Sequence, residues 1–353
     1  MSITRADIEA RLALLELPDG GTLISRDMVR ALSITGSEVR FVIEAPNPEM
    51  ARMMEPLRAA AERAALSLPG VSHASVALTA HAAPAAPSLK VGGHPKGGTS
   101  SIRPEGVASI LAVASGKGGV GKSTVASNLA VALARKGRRV GVLDADIHGP
   151  SLPRMMGVSA RPVSVDGQSM APLVAHGVKL MSIGLMLDPD KAVVWRGPML
   201  MGALQQMMSQ VTWGTLDVLI VDLPPGTGDV QLTLCQRARP DGAIVVSTPQ
   251  DVALLDARKA IDMFQTLETP IHGLVENMSV FHCPDCGHEA HIFGHGGVRD
   301  EASRIGLPLL AALPIDLETR LAGDAGVPVA CGDGVMAEAY GALAQRLVDD
   351  GVA

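Results

Sequence analysis

Aromatic side chains are scarce in this sequence: four Phe, two Trp and one Tyr among 353 residues. Proteins that hold single-stranded nucleic acid stack its bases on such rings, so that class is disfavoured. Positive charge is short as well, with 30 Lys and Arg against 36 Asp and Glu and a net charge of −6. Sequence-independent nucleic-acid binding needs a cationic footprint, and no nucleic-acid partner is expected. Despite a mean hydropathy of +0.26, every apolar run is broken by Pro, Gly or charge before the roughly 18 residues a spanning helix needs. The N-terminus, Met1-Ser-Ile-Thr-Arg-Ala-Asp-Ile-Glu9, puts acids where a secretory leader has a basic start and an apolar core. A cytoplasmic location without a membrane partner is the expectation. Cysteine occurs only four times, too rarely for a disulfide framework in a chain of this length.

What is there is a globular composition, 47% apolar and 19% charged, with length for about two domains. Residues 81–107 are rich in Pro, Gly, Ala and Ser and read as a linker. Before them, residues 1–80 read as a small α+β accessory domain. Ile8, Leu12 and Leu15 mark a first helix, and strands Ala31 to Ile34 and Val39 to Glu44 flank a turn at Thr35-Gly-Ser. Met50, Met53, Met54, Leu57, Ala61, Ala64 and Leu66 keep helical spacing, and Val71 to Leu78 closes with a strand. Residues 108–353 change style. Ile110 to Ala114, Arg139 to Leu143, Val218 to Val221, Ala243 to Ser247 and Ile271 to Glu276 are continuous apolar runs, each followed by a loop and a helical segment. That pattern predicts a doubly wound, mostly parallel α/β sheet. Val335 to Val348 predicts a closing amphipathic helix.

The first of these strands runs into Ser115-Gly-Lys-Gly-Gly-Val-Gly-Lys-Ser-Thr124. Gly116, Gly118 and Gly121 fit a dinucleotide fingerprint, but Gly116-x-x-x-x-Gly121-Lys122-Ser123 is also a Walker A loop. A dinucleotide loop has no use for an ammonium and a hydroxyl at its end, whereas a nucleoside triphosphate site needs both. The backbone from Gly116 through Gly118, Gly119 and Val120 to Gly121, Lys122, Ser123 and Thr124 is therefore the candidate ATP cradle. In it Lys122 reaches the β and γ phosphates and Ser123 meets Mg²⁺. Lys117, inside the glycine run, has no role in a plain Walker A loop.

Three acids end strands on the same side of the sheet. Asp144 and Asp146 close the strand after the first helix, and Asp222 closes Val218-Leu-Ile-Val, the Walker B position; ligands bind at that edge in such folds. Asp146 is the candidate for positioning the attacking water, and Asp144 and Asp222 for the Mg²⁺ shell. One such acid would be read as a helix cap or turn residue; three facing one phosphate loop favour a nucleotide site. Leu223-Pro-Pro-Gly-Thr-Gly-Asp229 then reads as a switch sensing the γ phosphate.

Phe281-His-Cys-Pro-Asp-Cys-Gly-His288 is a metal-ligand turn with two thiolates, Cys283 and Cys286. Zinc and iron-sulfur sites both want four ligands. His282, His288, His291 and His295 offer to complete a zinc site within one chain. A two-fold dimer offers the other solution, two cysteines from each subunit around one cluster. A redox or structural Cys-x-x-Cys turn is the third reading. Cys235 reads as core.

The loop Gly-Lys-Gly-Gly-Val-Gly-Lys-Ser resembles the deviant Walker A of the MinD, ParA and nitrogenase iron protein class. That resemblance implies that Lys117 crosses a dimer interface to the partner's nucleotide. Over Ile110 to about Val329 the chain resembles one group more closely, the Mrp/ApbC ATP-binding iron-sulfur cluster carriers. The resemblance is carried by the phosphate loop, Leu143-Asp-Ala-Asp-Ile-His-Gly-Pro-Ser, Trp195-Arg-Gly-Pro-Met, Asp222-Leu-Pro-Pro-Gly-Thr-Gly-Asp, Ser247-Thr-Pro-Gln-Asp, Glu276-Asn-Met-Ser, the cysteine turn and Ile292-Phe-Gly-His-Gly-Gly. It implies a slow ATPase that forms a homodimer and binds a [4Fe-4S] cluster between subunits through Cys283 and Cys286. Scaffold proteins would be donors and apo iron-sulfur proteins recipients. Asn277 is implied as the adenine contact; Arg196 and Cys331 stay without a role. The first 80 residues resemble the small N-terminal domain of bacterial members. In relatives of that domain a cysteine often stands where this sequence has Ala45-Pro-Asn-Pro48, and no cysteine precedes Cys235 here. Regulation or docking is the expectation for it. A MinD-like or ParA-like positioning ATPase is the alternative. The first needs a basic amphipathic tail, which Gln345-Arg-Leu-Val-Asp-Asp-Gly is not; the second needs a basic DNA face; neither explains the cysteine turn. An ATPase with a structural zinc is the further alternative.

Overall fold

The computed structural model describes residues 4–15, 17, 20–45, 50, 53–80, 102–146, 149–164, 167–186 and 197–353. The chain forms two compact units, Met1–Ala85 and Ala86–Ala353. In the first, helix α1 (Arg5–Leu12) is started by Thr4 and Asp7, each accepting from the other's backbone amide in a capping box. Strands β1 (Val29–Thr35) and β2 (Glu38–Ala45) form an antiparallel hairpin, helix α2 (Glu55–Leu66) crosses over, and β3 (His73–Ala80) adds parallel to β2. Val39, Phe41 and Ile43 alternate along β2 and are buried against Ile8, Leu12, Ala61 and Ala65. The hairpin and helices stand where the apolar spacing put them, within a few residues. Pro46, Asn47 and Pro48 lie outside the described residues.

Most of the expected linker, 81–101, also lies outside them. Its last residues are not linker-like: Ile102 is buried, Arg103 forms a two-bond ion pair with Asp241, and Val107 already opens a strand.

The second unit runs β4 (Val107–Ala114), α3 (Lys122–Arg135), β5 (Val140–Asp144), α4 (Leu152–Met155), β6 (Leu173–Ala175), β7 (Val178–Ser182), α5 (Gly197–Ser209) and β8 (Leu216–Asp222). It continues with α6 (Asp229–Ala238), β9 (Gly242–Ser247), α7 (Asp251–Thr266), β10 (Ile271–His282), β11 (Glu289–Ala290), α8 (Gly297–Ile305), β12 (Leu309–Ile315), α9 (Leu317–Ala325) and α10 (Val335–Asp349). Among the described residues the sheet order is β11-β10-β9-β4-β8-β5-β7-β6, with β12 also on β10. Pairing is parallel except at β6–β7 and β10–β11. The strands are buried on both faces because each supplies two cores. On β4, Ile110, Ala112 and Ala114 enter one core, and Leu111 and Val113 enter the other, with α3 and α10. Such two-faced burial explains why these strands read as unbroken apolar runs. No helix among the described residues is long and apolar enough to cross a membrane.

Register places the chemistry. Asp222 on β8 pairs with Val113 of β4 on one side and Asp144 of β5 on the other, so both acids reach the carboxyl edge beside the loop that follows β4.

Candidate functional site

The phosphate loop bridges β4 and α3. Gly121 caps α3 with φ +80°, and a Cβ there would meet the Asn277 amide nitrogen at 2.2 Å. Gly116 lies so close to α7 that a Cβ would stand 2.0 Å from the Asp256 carbonyl carbon. These two glycines are required by position, one by conformation and crowding and the other by close approach.

Lys122 and Asp222 are buried and paired, Nζ to Oδ1 at 2.5 Å, and Ser123 Oγ donates to Asp222 Oδ2 at 2.6 Å. Burial pushes the Asp222 carboxyl up, against the pull of Lys122. Asp144, equally buried, is pushed up to about 7 by desolvation, with the Asp222 charge adding to it. Its oxygens are engaged by the chain itself: Oδ1 accepts from the Asp146 amide (3.1 Å), and Oδ2 from the Leu152 amide (3.2 Å) and Ser182 Oγ (3.1 Å). The sequence offers Asp144 to the Mg²⁺ shell; the structure turns its carboxylate onto the backbone of the turn that follows β5.

Asp146 instead lines a pocket of about 190 Å³ with Lys117, Gly119, Lys122, Ser123 and Pro225. Its Oδ1 is buried without a hydrogen-bond partner. An orphaned acceptor beside a lysine and a hydroxyl fits a hydrated divalent cation or an oriented water. Ser123 lines the same pocket, and its hydroxyl and the Asp222 carboxylate bonded to it have the chemistry of cation donors. Lys117 Nζ reaches Gln250 Oε1 at 3.3 Å, and the Gly226 amide donates to the Ser115 carbonyl at 3.0 Å, tying the segment after β8 to the loop.

Next to this pocket, sharing Gly121 and Thr124, opens a cavity of about 560 Å³. Asn277 and Met278 form one wall, and Pro314, Ile315, Asp316 and Tyr340 stand around it. Asn277 Nδ2 donates to the Val120 carbonyl at 2.9 Å, so this residue also holds the phosphate loop. The Tyr340 hydroxyl is buried without a partner, and burial raises its pKa. No motif or spacing signals residues 314–316 or Tyr340: they are contributed by the end of β12 and by α10, and only the fold brings them to α3.

Cys283 follows β10. Its amide donates to the His288 carbonyl at 2.9 Å, and Gly287 donates back to its carbonyl at 2.8 Å. The Cys286 and Asp285 amides, then the Cys286 thiol, hydrogen-bond the Cys283 sulfur and hold its pKa below the usual thiol range. Cys286 is exposed. Among the described residues no three His, Cys, Asp or Glu side chains converge as a metal-holding group. His282 faces Glu289 (3.6 Å), and His291 lies on the Ser279 carbonyl (3.3 Å) with its ring 4.3 Å from that of His295. The one-chain zinc set is therefore not assembled here; the turn presents two thiols. Cys235 is buried, its thiol pushed up to about 12, and Cys331 is half-buried against the core that holds α3 and α10. Residues 147, 148, 195 and 196, from two of the resemblance motifs, lie outside the described residues.

The family model of NUBPL iron-transfer P-loop NTPases matches residues 106–348, and that of an iron-sulfur cluster assembly protein matches residues 5–78. An iron-sulfur cluster carrier protein of Synechocystis sp. is 42% identical over 333 residues, 92% of this chain and 91% of the relative. One from Pseudomonas fragi is 52% identical over 229 residues, 64% of this chain and 80% of its own. Among solved structures, a nucleotide-binding protein from Archaeoglobus fulgidus in complex with ADP is similar at TM-score 0.57 and 39% identity, over 63% of this chain and 88% of that one. The cell division ATPase MinD of Pyrococcus furiosus, at TM-score 0.51 and 22% identity over 69% and 99% of the two chains, shares the fold. A match that begins ahead of β4, takes in both the phosphate loop and the cysteine turn, and ends inside α10 makes this chain a member of the family of NUBPL iron-transfer P-loop NTPases.

Proposed function

We propose that the protein binds Mg-ATP in the phosphate pocket and adjoining cavity, and carries an iron-sulfur cluster between the cysteine turns of two copies. The observation that carries this reading is the pair of half-buried Cys283 and exposed Cys286. Amide hydrogen bonds favour the thiolate at Cys283, and no third ligand converges on the pair among the described residues. Two thiolates are half of a four-ligand site, and two-fold symmetry supplies the other half. The cargo is a [4Fe-4S] cluster, received from scaffold proteins and passed to apo iron-sulfur proteins in the cytoplasm, where thiols stay reduced.

On the nucleotide side the loop amides from Gly116 to Thr124 hold the phosphates, with Lys122 drawn from Asp222 to the β and γ oxygens. Ser123 and Asp222 hold Mg²⁺, which neutralises phosphate charge. Asp146, with its free oxygen, orients the attacking water, and hydrolysis is slow. Asn277 and the walls at Pro314 and Tyr340 receive the adenine. Lys117 reaches the nucleotide of the second copy. Val252 and Leu255, 65% and 55% exposed on α7 beside Gln250, support a self-association surface there.

Anaerobic reconstitution with iron and sulfide tests the reading. The wild type is expected to develop a thiolate-to-iron absorption band at one cluster per two chains, and Cys283→Ser/Cys286→Ser to develop none. Zinc bound at one per chain, with no cluster, would overturn it.

A further inference from the structure

The cysteine turn closes a segment whose two arms meet at a neck. Strand β10 parts from β9 after Glu276 and continues on β12 alone, through Asn277 and Phe281, and the chain returns at Val298, in the first turn of α8. Glu276 Oε2 accepts from the Val298 amide at 3.0 Å, so a buried strand carboxylate serves as the N-terminal acceptor of that helix. From this neck outward the two arms are linked in steps. His291 lies on the Ser279 carbonyl, Phe281 pairs with Ala290 and His282 with Glu289, and Cys283 bonds His288. The turn sits at the tip of a laddered stalk.

The neck stands on the phosphate loop. Asn277, next to Glu276, is buried and holds the Val120 carbonyl, and the Met278 methyl lies 3.9 Å from the Cβ position of Gly121. Met278 has φ +57°, a left-handed conformation rare for a side chain of this size, at the joint between neck and stalk. A second path arrives at the same place. Lys117 reaches Gln250, and the adjacent Pro249 carbonyl packs on Gly297, where a Cβ would stand 2.5 Å away. Far from the neck, α8 is fixed to α7 by Glu301, which pairs with Arg258 and Arg304.

We propose that Glu276 is a positioning residue that couples the nucleotide loop to the cysteine turn, by locking the two arms of the stalk together at the point where Asn277 grips the loop. Nucleotide phosphate bound by the loop shifts the Val120 carbonyl and Asn277. With the neck locked, β10 and the start of α8 move as one body and change the presentation of Cys283 and Cys286. With the neck open, movement of β10 is absorbed before it reaches the tip. The coupling takes its purpose from the carrier reading, but its test does not need a cluster.

The test is the rate at which N-ethylmaleimide alkylates Cys283 and Cys286 in the apo-protein, followed by peptide mass spectrometry with and without a Mg-bound non-hydrolysable ATP analogue. Buried Cys235 is the internal reference. In the wild type the nucleotide is expected to change the rate about fivefold or more, the range of linked sites. Glu276→Gln, which keeps an acceptor for Val298, should respond like the wild type. Glu276→Ala should bind the analogue with unchanged affinity and show no response. A purely structural role would lower the melting temperature and leave the response in place. A wild type indifferent to nucleotide, or a full response in Glu276→Ala, would overturn the proposal. Should Glu276→Ala fail to fold, Gly297→Ala decides: a blunted response supports the coupling and a normal one refutes it. A wild type that responds yet takes up no cluster refutes the carrier reading alone.

Discussion

In the phosphate loop, Lys122, Ser123 and Asp222 satisfy one another inside the chain, and Asp144 beside them is held by two amides and a hydroxyl. In the cysteine turn neither thiol is buried, and the Cys283 sulfur is held only by the turn's own amides and the Cys286 thiol. The first region has folded its function into its own stability, since Lys122 and Asp222 compensate each other's buried charge. The second region carries ligands that the fold does not use. Damage to the loop should therefore appear in stability and activity together, and damage to the turn in activity alone.

The largest effect is expected from Lys122→Ala. Removing one partner of a buried ion pair leaves the other uncompensated, a loss of about 3–5 kcal/mol, and Asp144 adds a second buried carboxyl nearby. Denaturant unfolding should show that loss, and nucleotide binding should vanish in the same variant. Normal ATP turnover would remove the phosphate-loop assignment. Next come two glycines with nearly the same backbone angle, Gly121 at +80° and Gly119 at +81°. Alanine in the left-handed region costs roughly 1–2 kcal/mol at either position. Only at Gly121 does the new methyl also strike Asn277, whereas nothing lies within 4 Å at Gly119. Gly121→Ala should lower the melting temperature more than Gly119→Ala, and equal losses would show that Asn277 yields freely.

The same contrast explains what the sequence alone makes legible. The parallel strands were legible because two-faced burial writes unbroken apolar runs, and the loop because glycine, lysine and serine at fixed spacing have few other uses. Strands β6, β7 and β12 were not legible. β6 has three residues and β7 is interrupted by Lys179, while β12, seven residues long, carries Pro314 near its end. With β12 unseen, the cavity wall at 314–316 was invisible too. Asp144 shows a different limit. Its place at a strand end was plain, but which donors its oxygens meet depends on Leu152 and Ser182, far along the chain. The cysteine spacing announced a ligand turn at once, because such a turn is local. Whether histidines join it is a matter of how β10 and β11 pair, which spacing does not encode.

A smaller effect belongs to Asp144. Its folded pKa, raised to about 7, lies above that of an unfolded aspartate. The group therefore favours folding at low pH, and that contribution is lost as pH rises through the folded value. For the apo-protein in chelator, the change between pH 6 and pH 8 should be on the order of 1 kcal/mol. Asp144→Asn should flatten it, so the difference between the two chains isolates this carboxyl from histidines titrating in the same range. Parallel pH profiles of denaturation midpoints would show that Asp144 stays ionised throughout.

The smallest effect on stability should come from the most complete loss of function. Neither Cys283 nor Cys286 is buried, and serine keeps the size of the side chain. The turn's own backbone bonds, Cys283 to His288 and Gly287 to Cys283, do not involve the sulfurs. Cys283→Ser/Cys286→Ser should thus unfold within about 0.5 kcal/mol of the wild type, as substitutions away from buried features do, while taking up no cluster. Nucleotide affinity should be unchanged, because the phosphate pocket and the cavity contain neither residue. A marked fall in stability would mean that the thiols support the fold within one chain, as a structural metal site would require. That result would collapse the distinction between the two regions.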